Sequence, residues 1–297
     1  MKNLEVEHKN PIAVRGESLW LKAWKRFRRH RLAMFGLLVL TTLALLAIFA
    51  PFVSPHSPTA LNLAHREQPP SWEHWLGTDR TGRDIWARVI LGGRASLSVG
   101  LVAVALQTII GVIVGSTSGY AGGKVDMILM RITDMVQTFP MLIIVIVLVA
   151  ILGPSLYNLM FAIGVIGWPG MARQVRGQFL FLREVEFVQA ARCVGAKPGS
   201  IIFKHILPNT VGPVAVAITF GVGEAILLEA GMSFLGLGIQ PPTPSWGSML
   251  NDARTLSILE KMPWMWVSPG IMISLAVLSI NFIGDGLRDA LDPRQQI

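Results

Sequence analysis

The sequence predicts an all-α fold: a polytopic membrane protein of about six transmembrane helices with both termini in the cytosol. Three observations carry this. The 297 residues are 52% hydrophobic and only 15% charged, with a mean hydropathy of +0.53, where a soluble domain carries about 25% charge. The apolar residues gather in runs long enough to cross a hydrocarbon core of about 30 Å, which takes roughly 20 helical residues. The Lys and Arg residues are spread unevenly over the segments between those runs.

Six runs follow in order. Residues 32–53 and 95–118 carry no charge, 135–152 is interrupted by Pro140, and 155–172 follows the turn Gly153-Pro154. Residues 210–237 are apolar apart from Glu224 and Glu229, and 264–284 are again uncharged. No small-residue cleavage site follows a short apolar core, so 32–53 is expected to be a retained span and not a signal peptide. With the N-terminal tail inside, 19 of the 26 Lys and Arg residues fall on cytosolic segments and seven outside, as the positive-inside rule requires. Trp72, Trp75, Trp86, Trp246, Trp264 and Trp266 fall in or beside the outer segments, as an interfacial aromatic belt would.

These runs set the domain organisation. Residues 1–31 form a basic amphipathic cytosolic tail, and 32–93 hold the first span and an outer loop. A core of five spans occupies 94–292, with a cytosolic segment at 184–208, and 293–297 form a short cytosolic tail. In the N-terminal tail, Trp20, Trp24 and Phe27 stand at i, i+4 and i+7 among basic residues. That is the pattern of a helix on an anionic leaflet, although the charges also serve to fix topology.

Composition excludes several classes. The net charge of +8 does not mark a nucleic-acid-binding face, because the cations lie between apolar spans. The one cysteine, Cys193, rules out an internal disulfide and argues against a metal site, and none is expected. None of the six His residues lies inside a span, so no intramembrane metal cluster is expected. The Gly-rich stretch SGYAGGKV has Ser118 where a phosphate loop needs Gly and Val125 where it needs Ser or Thr. It reads as a turn.

The segment REVEFVQAARCVGAKPGSIIFKHILPN, between the fourth and fifth runs, is the most informative. Phe187, Ala190, Ala191 and Val194 stand at i, i+3, i+4 and i+7, an apolar stripe on a short helix. Gly195 fits its C-terminal stop. Pro198 fits the first turn of a second helix, which Pro208 is expected to end. A helix–turn–helix with an apolar stripe in the cytosol needs something to bury it, and a soluble partner is one candidate.

Gln189-Ala190-Ala191, Gly195 and Ile206-Leu207-Pro208 resemble the EAA…G…LP motif of binding-protein-dependent ABC importer permeases, with Gln189 in place of the usual Glu. HWLGTDRTGRDIWARVILGGRASLSVG, SFLGLGIQPPTPSWGSMLNDAR and NFIGDGLRDALDPR resemble the peptide and nickel group, in particular the C-type subunit of oligopeptide and dipeptide systems. The resemblance runs from about Trp20 to Arg294. It implies a type I ABC importer permease in the bacterial plasma membrane, paired with a second homologous permease and two cytosolic ATPase subunits. An extracytoplasmic binding protein would deliver the cargo. Phe187, Gln189, Ala190, Ala191, Gly195, Ile206, Leu207 and Pro208 would then couple the chain to an ATPase. The chain itself would bind no cofactor and catalyse nothing, ATP being used by the partners. Nickel chelates are the alternative cargo, and an ion-coupled secondary transporter is the alternative class.

Glu224 and Glu229 need an explanation of their own. A carboxylate in a span costs roughly 2.5–3.5 kcal/mol and should face the bundle interior or a water-filled path. Five residues apart, they lie about 140° from each other around a helix. Each is read either as lining the translocation path or as a hydrogen-bonded structural residue. Arg131 with Asp134, and Asp285 with Arg288, stand at i, i+3 and read as ion pairs at the membrane boundary. GTDRTGRD reads first as turn chemistry.

Overall fold

The computed structural model describes residues 19–291. Most of the expected tail 1–31 and the tail 293–297 therefore lie outside the described residues. In chain order the helices are α1 (Leu19–Phe27), α2 (Arg31–Ile48), α3 (Ala50–Val53), α4 (Ile85–Ala121), α5 (Gly123–Gln137), α6 (Met141–Leu152), α7 (Leu156–Ile166) and α8 (Trp168–Leu182). They continue with α9 (Glu186–Cys193), α10 (Pro198–Ser200), a π-helical stretch (Ile201–Ile206), α11 (Leu207–Phe234), α12 (Trp246–Asp252), α13 (Leu256–Lys261) and α14 (Trp264–Leu291). Among the described residues the only extended pairing is an isolated bridge between Thr78 and Asp84.

Four helical runs among the described residues are long and apolar enough to cross a membrane: α2, α4, α14, and Pro198–Phe234 taken as one. α5 and α6 reach that length only together, bent by 79°. Pro140 supplies the bend. It sits just before α6 with extended backbone (ψ 128°) and has no N–H to carry the helix through. The expected span 155–172 is shared by α7 and α8, which meet at Gly167 and run on to Leu182. The first ten residues of the expected cytosolic connection, from Arg173, are thus a continuation of that helix.

α4 is the central post, packed against α2, α7, α8 and α11. Val99, Ala103 and Val104 of α4 meet Leu159, Ala162 and Ile163 of α7, Val145 and Val149 of α6, and Ala225 and Met232 of α11 in one buried cluster. Lower on α4, Gly111, Gly115 and Gly119 form a stripe at i, i+4, i+8 against α8. A methyl on Gly111 would stand 2.6 Å from Met171 Cβ, and one on Gly119 would stand 2.6 Å from Phe179 Cβ. Small residues let two backbones approach without a hydrophobic drive, which lipid does not provide. At the outer end, Arg94 of α4 donates to the Ala47 and Ile48 carbonyls (2.5 Å each), satisfying acceptors that the end of α2 leaves open.

α1 packs by Phe27 against Ala33 and Ala290, while Trp24 stacks on Phe27 at 5.8 Å and stays half exposed. The aromatic face is therefore shared between the protein and its surroundings. His30 caps α2 by accepting the Ala33 N–H (3.1 Å) and lies 3.6 Å from Asp289 of α14. Asp134 pairs not with Arg131 but across to Arg173 of α8, at 2.6 Å. Asp126 likewise takes Arg176 of α8 in a two-pronged pair (2.5 and 2.6 Å). These long-range pairs tie α5 to α8, where the i, i+3 reading had placed a local contact.

Candidate functional site

α9 ends as its sequence directs. Gly195 takes φ +81°, the left-handed turn that glycine adopts without a Cβ penalty. The Ala196 N–H reaches the Ala191 carbonyl (3.0 Å) and the Gly195 N–H reaches Arg192 (2.9 Å), the paired closure of a Schellman stop. Pro198 then opens the next helix at its first position. The expected end at Pro208 does not occur. The backbone widens to a π-helix over Ile201–Ile206, with the Leu207 N–H bonded to Ile202 O five residues back. This wider turn makes room for the proline ring, so the helix runs unbroken into α11 and the span. The second half of the segment is thus rigidly joined to a transmembrane helix.

The apolar stripe divides between two faces. Val188 is fully buried in a cluster with Val175 and Phe179 of α8, Ile201, Ile206 and Val214, and Ala191 is nearly fully buried. Ile206 faces that core, Leu207 packs partly against it, and Phe187, Ala190 and Val194 remain exposed. Gln189, Gly195 and Pro208 are exposed as well. The exposed set forms a small apolar ledge; Arg192, Lys197 and Lys204 of the same segment are exposed too, with the Arg192 guanidinium over the Tyr120 ring at 5.9 Å. Val188 was not among the expected residues, though Val185, Val188 and Ala191 at i, i+3, i+6 carry that inward face in the sequence. Gln189 Nε2 donates to the Glu184 carbonyl (3.1 Å), a bond for which a glutamate in this position has no proton.

The two span acids part company. Glu224 is exposed on the surface of the chain, whereas Glu229 is completely buried. Glu229 accepts from Ser96 Oγ of α4 (2.8 Å) and from Ser233 Oγ one turn on (2.7 Å). Trp246 of α12 donates its backbone N–H to Ser96 Oγ (3.3 Å) and its indole N–H to Val89 O (2.9 Å). Glu229 is the centre of a polar knot joining α4, α11 and α12.

The outer segment 54–84 and α12–α13 form a lid over the outer ends of α4 and α14. Ile85 and Val89 meet Met249, Ala253, Ile258 and Met265 there. GTDRTGRD is turn chemistry, as read. Gly77 and Gly82 take φ +72° and +75°. The buried Asp79 carboxylate accepts from Thr81 N and Oγ (2.8 and 2.7 Å) and from Arg83 N and Nε (3.0 and 2.6 Å). Burial opposes ionisation of Asp79, yet the Thr81 hydroxyl, the backbone N–H groups and the Arg83 charge outweigh it and hold its pKa below the ordinary value. For Asp252 burial wins over the attraction of Arg88 and Arg83, with Asp79 adding like charge, and its pKa is raised. Arg83 and Arg88 both reach Asp252 (3.3 and 3.0 Å), so this ionic group links the segment before α4 to α12. A cavity of about 220 Å³ lies beside it.

Residues 87–297 match the family described as the binding-protein-dependent transport system inner membrane component, and residues 18–70 match the N-terminal TM domain of oligopeptide transport permease C. The chain is 47% identical to the dipeptide transport system permease protein DppC of Alkalihalophilus pseudofirmus, over 94% of this chain and 91% of that one. It is 44% identical to the oligopeptide transport system permease protein OppC of Bacillus subtilis, over 95% and 92% of the two chains. In fold it resembles a chain of the inward-facing MetNI methionine ABC transporter, with a TM-score of 0.57 and 19% identity over 70% of this chain and 97% of that one. The chain therefore belongs to the binding-protein-dependent transport system inner membrane component family, as a multi-pass protein of the bacterial inner membrane.

Proposed function

We propose that this chain is the C-type permease subunit of an ATP-driven importer for dipeptides or oligopeptides. It works beside a second, homologous permease, and an extracytoplasmic binding protein delivers the peptide. The names of the DppC and OppC relatives support the cargo. The observation that carries the mechanism is the exposed ledge of Phe187, Ala190 and Val194 on α9, with Val188 and Ala191 anchoring the same helix inward. An exposed apolar face on a segment that also exposes cations suits a soluble protein partner, here a cytosolic ATPase subunit.

In this reading ATP is used by two such ATPase subunits, and this chain binds no cofactor. Movement of the ATPase is transmitted to α9, through the Schellman turn, and along the rigid α10–α11 run to the span that carries Glu224. Gly195 and Pro198 set the angle of that transmission. Ile206, Leu207 and Pro208 keep the segment continuous with the span. Glu224, exposed on the single chain, faces the second permease or a water-filled path, the two settings in which an intramembrane carboxylate is tolerable. A peptide's ammonium terminus is a fitting partner for it. Glu229 acts instead as a brace between α4, α11 and α12.

The test is uptake of a labelled dipeptide by the reconstituted assembly in liposomes. ATP and the binding protein are expected to be required. Uptake by this chain alone, driven by a proton or sodium gradient, would overturn the proposal.

A further inference from the structure

The three histidines of the outer segment, His56, His65 and His74, come from positions nine residues apart, and the first two each approach His74 ahead of α4. The His56 and His74 rings lie 4.6 Å apart between centroids, and His65 meets His74 edge-on at 5.8 Å. His74 is buried and held by one nitrogen: its Nδ1 lies 2.8 Å from Asp84 Oδ2. Asp84 is itself fixed, because its other oxygen accepts the Ala87 N–H (2.7 Å) and caps α4. This leaves His74 Nε2 as the free nitrogen of an oriented ring. His56 uses Nε2 against the Glu73 carbonyl (2.9 Å), which leaves its Nδ1. His65 Nδ1 is buried and has no hydrogen-bond partner. One ligand atom each from His65, Glu73 and His74 lie within 4.8 Å of one another, and the same holds for His56, His74 and Asp84.

We propose that His65 and His74, with the Glu73 carboxylate, form a binding site for a divalent transition-metal ion of the zinc type on the outer face of the protein. Imidazole nitrogens with one carboxylate suit such an ion. An oriented His whose second nitrogen rests on a carboxylate is the usual support of a metal ligand, and here Asp84 supplies it. The orphaned His65 Nδ1 is the second mark, since a buried polar atom without a partner calls for one. Tetrahedral ligands about 2.0–2.1 Å from zinc stand roughly 3.4 Å apart, so the side chains need to close in by little more than an ångström. The ion would tie the middle of the segment joining α3 to α4, at His65, to its later part at Glu73 and His74. The lid would then be held from one side by the metal and from the other by the Asp79–Arg83–Asp252 group. The site is independent of the peptide cargo and of the ATPase contact.

The experiment uses the full-length chain in lipid nanodiscs, with any affinity tag removed, and zinc chloride titrated against a fluorescent chelator. One ion per chain is expected, bound at micromolar concentration or tighter. His65→Gln is expected to weaken it at least tenfold, and His65→Gln/Glu73→Gln to abolish it. His205→Gln, outside the cluster, serves as the control and leaves affinity unchanged. Circular dichroism with and without chelator shows whether each variant is folded. Should the double variant misfold, the wild-type spectrum with cobalt decides: an intense tetrahedral band supports the site, and a spectrum like aqueous cobalt overturns it. Absence of a stoichiometric ion in the wild type, or equal affinity in the folded double variant, also overturns it.

Discussion

Replacing Gly115 by Ala sets two opposing effects against each other at one atom. Alanine is the better helix former by about 0.5–1 kcal/mol, which favours the substitution in α4. The new methyl, however, would stand against Ala172 O closer than any real contact, 2.8 Å from Val175 Cβ and 3.0 Å from Arg176 N. Two of these neighbours are backbone atoms of α8 and cannot swing away. Overpacking of this kind costs typically 1–3 kcal/mol, so the clash wins and the net loss is about 1–2 kcal/mol. That shifts the melting temperature down by roughly 2–8 °C. Gly177→Ala on α8 is the matched control, since a methyl there meets nothing within 4 Å. It should leave stability unchanged or raise it by up to about 1 kcal/mol. The assay is thermal unfolding of both variants in the same detergent. Gly115→Ala melting at or above the wild type would refute the close-packed reading of the α4–α8 contact.

Three further outcomes follow from named contacts. Glu229→Leu removes the acceptor for Ser96 and Ser233 and should cost about 2–4 kcal/mol, whereas Glu229→Gln keeps one acceptor oxygen and should cost less; comparative melting decides. The folded-state pKa of Asp79 is lowered, so its contribution to stability is present above its unfolded value near 4 and is lost as pH falls through the folded value. The melting temperature should therefore drop on the acid side of pH 4, and Asp79→Asn should start lower and show less of that drop. Trp246→Phe loses the indole bond to Val89 O at a cost of about 1 kcal/mol, also read by melting.

Much of this fold was legible because lipid imposes a simple length rule, and α2, α4, α11 and α14 obey it. What escaped was the course of the chain between runs. The 79° bend at Pro140 and the junction at Gly167 are decided by packing on α4, to which α8 clings through the Gly111–Gly115–Gly119 stripe. Hydropathy is blind to that stripe, because glycine is neither strongly apolar nor polar. Pro208 misled for a related reason: proline predicts a break only while the helix keeps its ordinary winding, and a π-helical turn removes the conflict. The punctuation of α9 by Gly195 and Pro198 was readable, since both residues have strong local preferences. The division of its stripe into buried Val188 and Ala191 and exposed Phe187, Ala190 and Val194 needed the position of α8. Likewise, Glu224 and Glu229 were equivalent in sequence, and only the serines of α4 and α11 distinguish them.

The central claim is that the exposed ledge of α9 is the seat of the ATPase. Co-purification of the assembly through this chain, with the ATPase subunits counted per permease, tests it for Ala190→Arg against the wild type. Ala190 is exposed, so the variant should fold and melt as the wild type does. The account predicts that the ATPase subunits fall away at least tenfold and that peptide uptake is lost with them. Full retention of both ATPase subunits, with undiminished uptake, would contradict it.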